Sequence, residues 1–114
     1  MEKVVFTTGG TGGHIYPALS IAKKVREKGI DTLFIGTKHR MEKDIVPKEN
    51  FRFIGLDVLP LRSIKSVFKM MAATIGTIKL LKKEKPTKII AFGNYITIPV
   101  LVAANILRIP YYLQ

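Results

Sequence analysis

The chain of 114 residues contains no cysteine and no tryptophan, and only 8 acidic residues stand against 19 Lys and Arg. Without thiols there is neither a disulfide framework nor a thiolate metal site, which suits a reducing compartment. The two histidines, His14 and His39, form no His-x-x-x-His pair, so no metal site is expected. No apolar run approaches the ~20 residues of a spanning helix; the longest, 96–104, is interrupted by Pro99. Met1-Glu2-Lys3 and the three apolar residues after them lack the apolar segment of a secretion signal, which predicts a cytoplasmic protein. The shortage of acids leaves a net charge of +11. That charge selects an anionic partner: nucleic acid, an acidic lipid surface or a phosphorylated substrate. No docking motif for nucleic acid accompanies it, so no nucleic-acid partner is expected.

What is present is concentrated near the amino terminus. Thr7-Thr8-Gly9-Gly10-Thr11-Gly12-Gly13-His14-Ile15-Tyr16-Pro17 lies between a short β-branched run, 4–6, and a segment whose Ala18, Leu19, Ile21, Ala22 and Val25 share one helical face. The glycines are therefore expected in a strand-to-helix turn, with Pro17 opening the helix. Glycine permits close backbone approach, so such a turn directs several N–H groups at one anion while the helix dipole adds partial positive charge. A diphosphate fits that arrangement. A tight turn that merely packs the first helix is the simpler alternative. A Walker loop is excluded because Gly13-His14-Ile15 stands where Gly-Lys-Ser/Thr is required. A dinucleotide fingerprint counted from Gly10 would need glycine where Ile15 stands, and the second strand runs into Gly36-Thr37-Lys38 without an acid for the ribose.

The rest of the sequence alternates strand and helix signals. Strands are expected at 31–36, 51–55, 88–92 and 111–113. Helices are expected at 41–46, ended by Pro47, at 63–83, closed by Pro86, and at 100–107, with Pro99 in its first turn. Lys28-Gly29 stops the first helix. One domain with a parallel, right-handed, doubly wound α/β sheet of about five strands follows. In such a sheet both Gly9 to Gly13 and Gly93-Asn94-Tyr95 fall on the carboxyl edge, where ligands bind, and they could converge on one of them. An ordinary turn remains the alternative for Gly93-Asn94-Tyr95.

The long helix carries a second pattern. Ile64, Phe68, Met71, Ile75 and Ile78 recur at three- and four-residue spacing, with Val67 and Leu81 beside them and Met70, Ala72 and Ala73 widening the surface. Arg62, Lys65, Lys69, Lys79, Lys82 and Lys83 flank it, with no acid before Glu84. Such a helix lies on an anionic bilayer through Ile64, Lys65, Phe68, Lys69, Met71 and Ile75, or packs on the sheet with a solvated lysine face. Both hold if one stripe faces in and another out. His39, within Lys38-His39-Arg40, reads as a solvated side chain.

Taken together these motifs resemble the MurG family of bacterial glycosyltransferases over nearly the whole chain. Gly9-Gly10-Thr11-Gly12-Gly13-His14 with Pro17-Ala18-Leu19 is similar to the family's first glycine loop. Gly36-Thr37, Arg40-Met41-Glu42 and Val46-Pro47 are similar to its next segment, and Phe92-Gly93-Asn94-Tyr95 with Pro99 and Ala103-Ala104 to its second loop, where Asn94 replaces one of paired glycines. The resemblance implies a Rossmann-like domain, 1–114, that is the amino-terminal half of a two-domain GT-B enzyme. It further implies transfer of N-acetylglucosamine from UDP-N-acetylglucosamine to the muramic acid of an undecaprenyl-diphosphate acceptor, lipid I, giving lipid II on the cytoplasmic face of the plasma membrane, with no cofactor and no metal. The implied roles are His14 as catalytic base, Thr11, Gly12 and Gly13 at the donor diphosphate, and Gly10, Gly93, Asn94 and Tyr95 at the acceptor diphosphate. A glycosyltransferase for another lipid or natural product, and a non-catalytic anchor subunit, are the rival readings.

Overall fold

The computed structural model describes residues 2–8, 12–39, 41–58, 62–92 and 95–113, with residues 12–14 described through their backbone. The elements alternate: β1 (Lys3–Thr7), α1 (Gly12–Glu27), β2 (Asp31–Thr37), α2 (Glu42–Lys48), β3 (Phe53–Leu56), α3 (Ile64–Glu84), β4 (Lys88–Ala91), α4 (Thr97–Leu107) and β5 (Tyr111–Leu113). The strands form one parallel sheet in the order β3-β2-β1-β4-β5. Alternate side chains of each strand feed opposite layers. Val4, Phe6 and Phe34 pack under Ile15, Ala18, Leu19 and Ala22 of α1 and Val46 of α2. On the other face Val5, Leu33, Ile35 and Ile89 pack under Leu81 of α3 and Val100, Ala103 and Ala104 of α4. The sheet is doubly wound, as the sequence predicts.

Several boundaries differ from the sequence reading, each for a packing reason. Pro17 lies inside α1, not at its start. The buried period of the helix begins at Ile15 and repeats at Ala18, Leu19 and Ala22, so the turn ahead of Ile15 is already helical from Gly12. Pro17 has no N–H to give the Gly13 carbonyl. Pro47 likewise lies inside α2, which ends one residue later at Lys48, before Asn50 turns left-handed at φ 63°. There the Asn50 and Phe51 amides cap the carbonyls of Pro47 and Val46. Phe51 has left the β3 ladder to fill the core: its ring stands 5.1 Å from Phe34 and carries the Arg26 guanidinium 4.0 Å from its centroid.

α3 has a sharply defined start. Ser63 is its N-cap: the Ser63 hydroxyl accepts from the Ser66 amide, and the Ser66 hydroxyl accepts from the Ser63 amide, a reciprocal capping box. Its other end carries Glu84, nearly buried, between Lys3 at 2.8 Å and Arg52 at 3.1 Å. These hydrogen bonds, Arg52 first, hold the Glu84 carboxyl at about 2, below its ordinary 4.5. Because the folded-state value is depressed, the stabilisation is complete above the unfolded-state value and is lost as pH falls through the folded one. Acid titration of unfolding should therefore show a loss between about pH 4.5 and about pH 2. Glu84→Gln should abolish that component, on the order of 1–2 kcal/mol after screening by solvent. An unchanged acid profile would contradict the ion network's role.

Candidate functional site

The strand order reverses between β1 and β4. Chain from β1 turns toward β2 on one side, and β4 and β5 extend the sheet on the other, which makes the carboxyl ends of β1 and β4 the switch point where sheets of this kind bind ligands. These ends are in register, Thr7 opposite Ala91, and the Phe92 amide donates to the Thr7 carbonyl at 2.9 Å. The two glycine runs leave the sheet from these neighbouring positions. Of the residues expected to bind phosphate, Gly10, Thr11, Gly93 and Asn94 lie outside the described residues. Gly12, Gly13 and His14 form the first turn of α1, where backbone N–H groups have no partner inside the helix. The fold thus places the backbone of Gly12 and Gly13 at the start of α1, at the carboxyl edge of the sheet. Tyr95, half-buried, packs against the small cluster of Val58, Met70 and Ile96 just ahead of α4.

Three polar groups escape sequence reasoning. The hydroxyls of Thr7 and Thr8 and the Oε2 atom of Glu42 are buried without a hydrogen-bond partner among the described residues. Thr7 and Thr8 are the last described residues before the first glycine run. Glu42 is fully buried, its Oε1 accepting from the Thr37 amide at 2.9 Å at the carboxyl end of β2. It fits there only because residue 36 is glycine: a Cβ on Gly36 would lie 2.7 Å from Glu42 Cγ. Orphaned buried polar groups are uncommon and concentrate where a ligand or an ordered water completes them. The one sequence signal for Glu42 was its place after Arg40-Met41, and its pairing with Gly36 across a turn was invisible there.

His39 is not simply solvated. It is 39% exposed, but its Nε2 stands 2.6 Å from Asp57 Oδ1. Lys69 reaches the same oxygen at 3.2 Å and Lys38 lies 4.0 Å from Oδ2. The hydrogen bond to His39, then that to Lys69, holds the Asp57 carboxyl below its usual range. Asp57 had no signal in the sequence.

α3 divides as the mixed expectation had it. Ser66, Met70, Thr77 and Leu81 are buried, at spacings of four, seven and four residues, and make the inward face. Ile64 is 76% exposed, Phe68 65%, Met71 57% and Ile75 57%, with Val67 beside them. The widest apolar stripe of the helix therefore faces solvent, Lys65 is exposed next to it, and Lys69 is only partly exposed through its bond to Asp57. Leu81 and Met70 belong to the core and not to that stripe, and Ile78 is half-buried against the sheet. Among the described residues no helix is long and apolar enough to cross a membrane.

The same loop order and sheet are found in known proteins. The profile of the glycosyltransferase family 28 N-terminal domain matches residues 4–114. The chain belongs to that family. A curated relative from Fusobacterium nucleatum subsp. nucleatum is 50% identical over all of this chain, which covers 32% of it; it is named UDP-N-acetylglucosamine--N-acetylmuramyl-(pentapeptide) pyrophosphoryl-undecaprenol N-acetylglucosamine transferase. A protein of the same name from Halothermothrix orenii is 43% identical over 95% of the chain and 31% of its own length. The crystal structure of Acinetobacter baumannii MurG superposes with a TM-score of 0.91 at 28% identity, over 99% of this chain and 35% of that one. The family 28 domain thus spans about a third of the length of the curated relatives it matches, and its fold is that of the amino-terminal half of a GT-B glycosyltransferase.

If the Thr8 hydroxyl waits for a ligand, it costs the free protein stability, since an unsatisfied buried hydroxyl carries a penalty of about 1–3 kcal/mol. Thr8→Val should leave the unliganded domain as stable as wild type or up to about 1 kcal/mol more stable in denaturant melts. A loss of more than about 1 kcal/mol would mean the hydroxyl is already satisfied.

Proposed function

We propose that the domain, residues 1–114, is the acceptor- and membrane-side half of an inverting glycosyltransferase that moves N-acetylglucosamine from UDP-N-acetylglucosamine to the muramic acid of undecaprenyl-diphosphate-linked lipid I, giving lipid II for peptidoglycan synthesis. The observation that carries the reading is the 50% identity to the Fusobacterium transferase across the whole chain. The paired ends of β1 and β4 and the first turn of α1 supply the physical basis.

Sugar transfer of this kind needs a base for the acceptor hydroxyl, charge stabilisation for the leaving diphosphate, and exclusion of water. His14, in the first turn of α1, takes the proton from the muramic-acid hydroxyl. Backbone N–H groups of Thr11, Gly12 and Gly13, with the dipole of α1, meet the donor diphosphate. Gly10, from the run after β1, and Gly93, Asn94 and Tyr95, from the run after β4, would serve the acceptor diphosphate. The charge is met by dipoles and cations, with no metal and no cofactor beyond the sugar nucleotide. The exposed stripe Ile64, Phe68, Met71 and Ile75, with Lys65 and Lys69, rests on the anionic cytoplasmic face of the bacterial plasma membrane, where the acceptor is anchored.

In the full-length enzyme His14→Ala should lower kcat by about 100-fold or more, the usual contribution of a general base, and the 114-residue chain alone should form no product from UDP-N-acetylglucosamine and lipid acceptor. A near-normal kcat would remove His14 from the base role, and turnover by the chain alone would overturn the half-enzyme reading. Phe68→Ser should weaken co-sedimentation with anionic vesicles while moving the unfolding free energy by less than about 0.5 kcal/mol, as for a surface site. A loss of several kcal/mol, as for a buried phenylalanine, would place Phe68 in a core and contradict membrane contact.

A further inference from the structure

Beside the apolar stripe of α3, one carboxylate gathers two lysines and a histidine from two other parts of the fold. Asp57 follows β3; His39 and Lys38 follow β2; Lys69 comes from α3. His39 Nε2 and Lys69 Nζ share Asp57 Oδ1 at 2.6 and 3.2 Å, and Lys38 Nζ approaches Oδ2 at 4.0 Å. All four side chains remain open to solvent. The backbone beneath them is held in place. A Cβ on Gly55 would stand 2.8 Å from Lys38 Cβ, so the missing side chain is what lets Lys38 cross β3 closely. The Lys38 amide donates to the Leu56 carbonyl at 3.1 Å and the His39 amide to the Thr37 hydroxyl at 3.1 Å. The capping box at Ser63 sets where α3 begins and hence where Lys69 falls.

Lys69 directly follows Phe68, the exposed aromatic of the stripe, and Lys65 lies one turn before it on the same flank. A bilayer that receives Phe68 therefore brings its headgroups to Lys69. An exposed carboxylate–lysine pair is held weakly and exchanges easily. A phosphate offers more acceptor oxygens and full negative charge to the same donors.

We propose that Lys38, His39 and Lys69 form a binding site for the phosphate of an anionic lipid headgroup, and that Asp57 occupies this site in the free protein and competes with the lipid for it. The inference rests on the membrane reading given above and deepens it. The neighbouring apolar stripe and the excess of cations commit the site to a lipid and not to a free phosphate ion. Asp57 thereby sets how anionic a bilayer must be before the domain docks.

Co-sedimentation of the 114-residue chain with phosphatidylglycerol–phosphatidylcholine vesicles tests this. Asp57→Asn should bind about fivefold more tightly, the factor equivalent to about 1 kcal/mol for one released cation at the surface. Glu27→Gln removes the same charge at the far end of α1, on the opposite face of the sheet, and should change binding less than about twofold because the charge lies beyond the screening length. In a Lys69→Gln/His39→Gln background, Asp57→Asn should no longer strengthen binding. Equal effects of Asp57→Asn and Glu27→Gln, with wild-type binding intact, would overturn the competition and leave the membrane reading standing. Absence of wild-type binding would overturn both. Saturation of the His39 ring resonances by inorganic phosphate alone, at about 10 mM and without vesicles, would overturn the lipid assignment; Asp57→Ala serves as a second variant, and its melt verifies folding.

Discussion

β1 is hydrogen-bonded in parallel on both sides, to β2 through the pairs from Lys3–Asp31 to Thr7–Ile35 and to β4 from Val4–Lys88 to Thr7–Ala91. With Val5 and Phe6 sealed from solvent, it has no freedom to slip: a shift by one residue would exchange the layers reached by Val5 and Phe6. That double register aligns Thr7 with Ala91 and Ile35 at the carboxyl edge. The start of α1, the end of β4 and the buried Glu42 at the end of β2 take their places from it. The layout of the carboxyl edge is thus a consequence of strand pairing.

α3 buries one face and exposes the other. Its inward face is narrow and made of Ser66, Met70, Thr77 and Leu81, of which two are hydroxyl residues; the Thr77 hydroxyl donates to the carbonyl of Ala73 and so needs no partner across the interface. The larger apolar side chains are outside. In a protein that met only water this would waste burial and invite association. Phe68 and Met71 are open to solvent, with the exposed Lys65 beside them.

Much of this was legible in the residues. Alternation of short β-branched runs with amphipathic segments identified the described elements and the doubly wound sheet, and the glycine runs were read correctly as following β1 and β4 at its carboxyl edge. Prolines misled: Pro17 and Pro47 read as helix borders because their lost hydrogen bond is a local signal, whereas Ile15 and Val46 keep those turns helical through burial, which is not local. The periodicity of α3 was visible, but which face turned inward was not, since both stripes satisfy helical spacing. Glu42, Asp57 and the threonine hydroxyls were missed for the same reason. Each matters through a partner distant in sequence or absent altogether, as with the Gly36 gap that admits Glu42 and the Lys69 amine that finds Asp57.

The central claim is that the carboxyl edge between β1 and β4 receives a diphosphate. Backbone amide NMR of the 114-residue chain, titrated with a short-chain prenyl diphosphate, tests it most directly. The account predicts saturable shifts at Thr7, Thr8, Gly12, Gly13, Phe92 and Tyr95, with little change along α1 beyond its first turns. Shifts confined to the opposite edge, where Lys3, Glu84 and Lys85 line a hollow of about 260 Å³, or spread evenly over the lysine-bearing surface, would contradict it.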